Sequence, residues 1–176
     1  MKKILIQIDG SNFYFKLKDF KLHHLLDFNF SNFNKNLAEQ NKITKSTYYV
    51  GRIRTDSTKK TQELFNNQRK LFAHLDKHNV LYSLGYLLKS DGKFHEKGVD
   101  VQIAVDMVKG AIKNEYDICY LISSDTDLLP AIKIAKEQKK KIVYVGFEKA
   151  ESRALMKNCS SHIILKKKDL QPFVKK

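Results

Sequence analysis

Four aspartates stand where apolar runs stop or begin. Asp9 ends "ILIQID", Asp125 and Asp127 follow "CYLIS" in "SSDTDLLP", and Asp100 sits in "EKGVD" before a valine- and alanine-rich run. A carboxylate at the end of a buried strand is costly unless something pairs with it. Carboxylates gathered in one pocket repel, and a divalent cation removes that conflict. Mg²⁺ and Mn²⁺ prefer carboxylate oxygens and water. No His or Cys cluster accompanies these acids, which argues against zinc. A metal held by acids alone keeps positions for water and for a phosphate oxygen, the arrangement that a phosphodiester displacement needs. The expectation is that Asp9, Asp100 and Asp125 ligate Mg²⁺ or Mn²⁺, with Asp127 as a further ligand or a supporting acid.

Each acid also has an ordinary structural alternative. Asp9 in "DGSN" can cap the helix that follows. Asp127 can cap a helix whose first turn holds Pro130. Asp100 can be a first-turn acid favoured by the helix dipole. Coincidence of all of them on one face of the fold is what separates the two readings.

The elements that must position these acids follow from hydrophobic pattern. Residues 4–8, 45–53, 80–88, 118–123, 141–146 and 162–165 read as strands. Residues 12–19, 32–40, 58–78, 99–114, 127–138 and 152–158 read as helices, and 90–97 as a loop. Residues 4–8 and 118–122 are taken as apolar on both faces, the mark of central parallel strands. Alternating strands and helices imply a three-layer α/β/α sandwich with a mainly parallel central sheet. In open sheets of this kind ligands bind beyond the carboxyl ends of the strands, where Asp9 and Asp125 fall. On a helical wheel of 99–114, Val101, Ala104, Val105, Met107, Val108, Ala111 and Ile112 form a broad apolar stripe. Asp100 lies near its middle, and Asp106, Lys109 and Lys113 lie on the polar side. Asp106 is therefore expected to be solvated or to support the site from outside it.

Composition bounds the partners. The chain has 176 residues, 42% of them hydrophobic, enough for one domain with a sizeable core. Residues 1–165 read as that domain and 166–176 as a flexible basic arm. The net charge of +14, from 33 basic and 19 acidic residues, favours an anionic partner, with nucleic acid foremost. No apolar run approaches the roughly 20 residues of a membrane span. The start is too short and too soon acidic for a signal peptide. Cys119 and Cys159 lack the spacing of a disulfide framework or zinc site, and the chain reads as cytoplasmic. Neither GxGxxG nor GxxxxGK[ST] occurs, so no dinucleotide site or P-loop is indicated.

Three segments in order, "IDGSNFY", "KGVDVQIAVDMV" and "LISSDTDLLPAIKIAKEQKKKIVYVG", resemble the signature segments of the NYN domain, a branch of the PIN-like nucleases, and its LabA-like bacterial members in particular. The resemblance runs from about Lys2 to Leu165. It implies a Rossmann-like α/β/α fold, an acid cluster binding Mg²⁺ or Mn²⁺, and endoribonuclease activity. Its motif positions fall on Asp9, Asn12, Asp100, Asp125 and Asp127, and include Asp106. The common form of the third segment has glycine where this chain has Ser124, a departure that alters the turn.

On the substrate side, Arg52 and Arg54 in "VGRIRTDSTKK" follow a strand end and are expected to meet phosphates, with Lys59 and Lys60 just beyond. Lys97, three residues before Asp100, is placed to reach a scissile phosphate. Asn12 is expected to orient Asp9 or bind that phosphate, and Ser124 to line the site. Phe13, Tyr14 and Tyr86 are candidates for stacking on unpaired bases, with core packing the alternative for Phe13 and Tyr86. The leading expectation is a metal-dependent ribonuclease acting on single-stranded RNA. Its alternative is a non-catalytic RNA-binding or protein-interaction module on the same fold. A small-molecule phosphohydrolase on a similar sheet usually needs a second aspartate two residues after the first, and Ser11 stands there. No membrane partner is implied, and a homo-oligomer remains open.

Overall fold

Side chains along the first strand alternate between two cores, as the period of a strand requires. Ile4, Ile6 and Ile8 of β1 (Lys3–Asp9) enter one cluster, and Leu5 enters the other. The computed structural model describes residues 1–53, 58–90 and 93–175, with residues 86–90 and 93–96 described by their backbone. The remaining strands are β2 (Lys42–Gly51), β3 (Leu81–Ser90), β4 (Lys93–Lys97), β5 (Ile118–Ile122), β6 (Lys141–Phe147) and β7 (Ser161–Leu165). They form one sheet in the order β4-β3-β2-β1-β5-β6-β7. All neighbours pair parallel except β3 and β4, which pair antiparallel at the edge. The expected loop over 90–97 is therefore mostly an edge strand. Its alternation of Phe94, His95 and Glu96 between lysines carries too little apolar signal to read as one.

Helices cover both faces, which gives the α/β/α sandwich. Helices α1 (Gly10–Asp19), α2 (Phe30–Ala38) and α3 (Lys59–Lys77) supply the first core with Phe13, Leu17, Phe30, Phe33, Leu37 and Leu75. Helices α4 (Val99–Ile112), α5 (Leu129–Glu137) and α6 (Arg153–Asn158) supply the second with Ile103, Met107, Ile132 and Leu155. Phe13 is fully buried, its ring edge-on to Phe28 at 5.3 Å, so it packs the core and is not offered to a base. Both cysteines are free and buried. Burial pushes the Cys119 thiol up, and that of Cys159 up to about 11.

The wheel reading of α4 needs correction. The helix buries Val99, Ile103, Met107, Gly110 and Ala111, while Val101, Val105 and Ile112 are largely exposed. This helix is apolar nearly all the way round, so its pattern leaves the contact face undetermined, and packing on the sheet selects the Ile103–Met107 line. Asp100 flanks that line and is half-buried. Asp106 flanks it on the other side and is half-buried, held by bonds rather than left in solvent. It accepts from the Tyr49 hydroxyl at 2.9 Å and from Gln102 Nε2 at 2.9 Å, with Lys45 Nζ at 3.8 Å.

The residues after Leu165 are no free arm. Helix α7 (Lys167–Leu170) and a 3₁₀ turn at Gln171–Phe173 fold back onto the α1–α3 side of the sheet. Leu170 is fully buried, and the Phe173 ring lies 5.6 Å from that of Phe33. Asn29 N–H donates to the Phe173 carbonyl at 2.6 Å, and Lys175 N–H to the Asp27 carbonyl at 2.9 Å. Three apolar residues among lysines (Leu170, Phe173, Val174) suffice to dock the segment, although the charge run dominates its composition. Leu170→Ala is expected to lower the unfolding free energy by about 2–5 kcal/mol, the range for truncating a buried leucine. Urea denaturation reads this directly; an unchanged midpoint would mean the segment contributes nothing to the core.

Candidate functional site

The sheet changes direction between β1 and β5. From β1 the chain steps through β2 and β3 to one edge, then crosses back to β5 on the other side of β1. The crevice outside the carboxyl ends of two such strands is where an open α/β sheet offers a binding site. A cleft of about 700 Å³ opens there, lined by Asp9, Asn12, Lys97, Asp100, Ser124 and Asp125.

Two local features bring these residues in. Gly10 follows Asp9 at the start of α1, where a Cβ would collide with the Tyr48 ring and the Tyr49 carbonyl oxygen. Glycine thus lets α1 begin directly on the end of β2. Gly98 caps α4 in the left-handed region with φ 78°, a conformation that glycine adopts without strain. It turns the chain out of β4 so that Asp100 falls in the first turn of α4, above the β1–β5 crevice.

Carboxylate oxygens of Asp100, Asp125 and Asp127 lie within 4.8 Å of one another. Asp100 and Asp125 are half-buried, and Asp127 is exposed. Among the described residues no lysine, arginine or histidine forms an ion pair with any of the three. The donor set fits a hard divalent cation. Asn12 adds a second indication, because its Oδ1 is buried in the same cleft with no hydrogen-bond partner among the described residues.

Asp9, expected as a ligand, lines the cleft but stands outside this group of three. Its Oδ1 accepts from Asn12 N–H at 3.0 Å and caps α1. Its Oδ2 accepts from Ser123 Oγ at 2.8 Å. Ser123 Oγ in turn accepts from Asp125 N–H at 3.2 Å, and Asp125 Oδ1 from Asp127 N–H at 2.9 Å. A single file of hydrogen bonds thus runs from the cap of α1 to the two acids after β5. Ser123, which the sequence reading passed over, is its middle link. Its signal was present: a serine ending an apolar strand, fully buried, must find a partner.

The other expected site residues are less closely gathered. Lys97 is exposed at the rim of the cleft, and Ser124 lies within it, its Oγ 3.2 Å from the Tyr144 hydroxyl. Arg52 is exposed after β2 and is not among the described residues lining the cleft. Arg54 lies outside the described residues, as does the side chain of Tyr86.

Asp106 belongs to a different construction. Gln7, buried in the middle of β1, donates from Nε2 to the Tyr49 hydroxyl at 2.9 Å and to the Ile103 carbonyl at 3.0 Å. Burial pushes the Tyr49 phenol far above its usual range, so it stays protonated and donates onward to Asp106. This network ties β1, β2 and α4 together beneath the cleft. Gln7 also means that β1 is not apolar on both faces.

In metal-free protein, Asp9→Ala is expected to cost about 1–2 kcal/mol by removing a helix cap. Asp100→Asn is expected to leave stability unchanged or to raise it, since it relieves repulsion among the acids. Chemical denaturation in EDTA compares the two, and equal losses would erase the distinction between a cap and a ligand. Tyr49→Phe is expected to cost about 2 kcal/mol, because it takes a donor from a half-buried carboxylate. The same denaturation series measures it, and a cost near zero would mean that water replaces the lost bond.

Comparison with known proteins agrees with this architecture. The solved crystal structure of a protein of unknown function, VPA0982 from Vibrio parahaemolyticus, superposes with a TM-score of 0.65 at 19% identity, covering 93% of each chain. That likeness shows the fold. The Uncharacterized protein MJ0482 of Methanocaldococcus jannaschii is 38% identical over 66 residues, 38% of this chain. The match spans 27% of that protein, so the chain aligns with about a quarter of its curated relative. The NYN domain family matches residues 3–166, nearly the whole chain. With that extent of match and the acids at the switch between β1 and β5, the chain belongs to the NYN domain family, within the PIN-like nuclease superfamily.

Proposed function

We propose that the cleft is the active centre of a metal-dependent endoribonuclease acting on single-stranded RNA. The observation that carries this reading is the convergence of Asp100, Asp125 and Asp127 from two separate segments, with no basic partner among the described residues. The family and the net charge of +14 support a polyanionic substrate.

Asp100, Asp125 and Asp127 would hold the cation, with Mg²⁺ or Mn²⁺ the fitting choices for an all-oxygen donor set. When bound, the cation supplies positive charge for the phosphate oxygens and for an attacking water. The remaining roles fall to side chains of the cleft. Asn12 presents its unpartnered amide oxygen to a donor beside the scissile phosphate. Lys97 offers its ammonium to the phosphate from the rim, and the Ser124 hydroxyl lines the opposite wall. Asp9 acts as a positioning residue. Its bond to Ser123 sets the backbone of Asp125 and thereby aims two of the three acids. Nothing in this scheme involves a lipid, and among the described residues no helix is long and apolar enough to cross a membrane.

The test turns on Asp125. Asparagine at this position keeps an Oδ1 that can accept from Asp127 N–H, so the local turn survives while the charge is lost. Asp125→Asn is expected to lower the cleavage rate of single-stranded RNA in Mn²⁺ on the order of 10³-fold or more. RNA affinity in EDTA is expected to stay equal or rise, because a negative charge beside a polyanion is gone. Mn²⁺ is expected to raise the thermal midpoint of the wild type by mass action, and to do so less in the variant. Wild type that cuts no RNA in Mn²⁺, or a variant that cuts equally well, rejects the nuclease and leaves a non-catalytic RNA-binding module.

A further inference from the structure

A second concavity adjoins the acid cleft. It lies between α1, the 3₁₀ turn at Leu25–Asp27 and α3, with a volume of about 700 Å³. The two share Ser11 and Phe15 as a common wall, so one continuous surface leads from the acids into the groove. The near wall is a row of rings. Phe15 meets Tyr14 edge-on at 5.6 Å, Tyr14 meets His23 edge-on at 6.2 Å, and His23 stacks on His24 at 4.7 Å. Phe15 is 58% exposed, and it matters here because it belongs to a contiguous apolar surface rather than standing alone. On the far wall, Leu64 of α3 is also exposed, with Asn67 and Leu71 on the same face.

Three further features specify the occupant. His23 Nδ1 is buried behind the groove wall with no hydrogen-bond partner among the described residues. Cations stand beside the groove and one acid within it: exposed Lys60 lies one turn before Leu64 on the same face of α3, exposed Arg52 adjoins Ile53, and Asp27 is in the lining itself. The groove is also held in shape. Gln68 of α3 accepts from Ile53 N–H at 3.0 Å and donates to the Gly51 carbonyl at 2.8 Å, fixing the end of β2 to the helix. Flat rings and exposed apolar walls, with cations beside them, match an unpaired nucleobase with its phosphate. Bases stack on aromatic side chains whatever their sequence, while cations follow the backbone.

We propose that this groove is a subsite for unpaired nucleobases, into which the strand flanking the scissile phosphate passes over Phe15. The proposal deepens the reading of the acid cleft as an RNA site and rests on it. It makes substrate form a property of this chain's own α1 and α3. A base-paired flank cannot offer its faces to the rings, so cleavage is confined to sites with an unpaired neighbour on that side.

Binding measured in EDTA tests the groove apart from cleavage. The probes are a short fluorescent uridine oligonucleotide, a strand of the same length built of abasic units, and the uridine strand paired with its complement. All three present a phosphate backbone, and only the first offers free bases. Wild type is expected to bind the uridine strand on the order of tenfold more tightly than the abasic strand, the scale of stacking one or more bases. The duplex is expected to gain nothing over the abasic strand. Phe15→Ala and Leu64→Ala, both substitutions of exposed side chains, are each expected to remove most of that preference and leave abasic affinity unchanged. Melting curves of the variants verify the fold.

Equal affinity of wild type for the uridine and abasic strands overturns the proposal, as does a preference fully retained in both variants. Adding Mn²⁺ separates the two readings. Base-dependent binding without cleavage rejects the nuclease and keeps the groove. Cleavage with no base-dependent binding rejects the groove and keeps the nuclease.

Discussion

The hydrogen bond between Ser123 Oγ and Asp9 Oδ2, at 2.8 Å, joins the ends of the two strands on which the site is built. Strands β1 and β5 are neighbours in the sheet but lie 109 residues apart in the chain, counting from Asp9 to Ile118. Their alignment alone leaves the segments beyond their ends free to splay. The carboxylate of Asp9 prevents this by accepting from α1 on one oxygen and from Ser123 on the other. Through Ser123 the constraint reaches Asp125, and through Asp125 it reaches Asp127. Each link uses a backbone or side-chain group that would be costly to leave unpaired in a half-buried crevice. An acid at the end of a first strand is thus explained by the fold before any ligand is considered.

Beneath the cleft, a second polar construction holds the floor. Gln7 sits where the pattern of β1 calls for an apolar residue, and it is satisfied by Tyr49, by the Ile103 carbonyl and by the Cys119 thiol. Tyr49 passes the connection to Asp106 on α4. A buried network of this kind favours one arrangement of helix on sheet over the alternatives that α4, apolar nearly all round, would otherwise allow. Since Asp100 lies in the first turn of α4, the rotation of that helix decides whether Asp100 meets Asp125 at all. The two networks therefore act on the same outcome, one from the strand ends and one from the helix face.

The surface around the acids divides by element. Helix α1 serves three purposes along its length. Asp9 caps it, Asn12 lines the cleft, and half-buried Ser11 with exposed Phe15 forms the wall shared by the cleft and the aromatic groove. The opposite side of α1, through Phe13 and Leu17, is locked into the core that the C-terminal segment closes. One face of this short helix is buried among aromatic rings, which fixes the positions from which its other face presents side chains.

Much of this was legible from residue order alone. Strand and helix periods identified the three-layer architecture, and the ends of apolar runs located Asp9, Asp100 and Asp125 at one end of the sheet, because periodicity and chain-end chemistry are local properties. The pairing of strands, the face that α4 buries and the partners of each acid were not local. Valines all round a helix carry no preferred direction, so the pattern leaves Asp106 either in solvent or supporting the site from outside, and packing bonds it to Tyr49. Asp9 as a cap and Asp9 as a ligand have the same sequence signature, and its bonds to Asn12 N–H and to Ser123, brought in across the sheet, are set only by the fold. Lysines hid the strand at Lys93–Lys97 and the docking of Leu170, since a few apolar contacts made in three dimensions outweigh the composition of the segment that makes them. Residue types determined which chemistry is available to this protein; tertiary structure decided which acids stand close enough to share a cation, because that depends on distances between segments that the chain order does not encode.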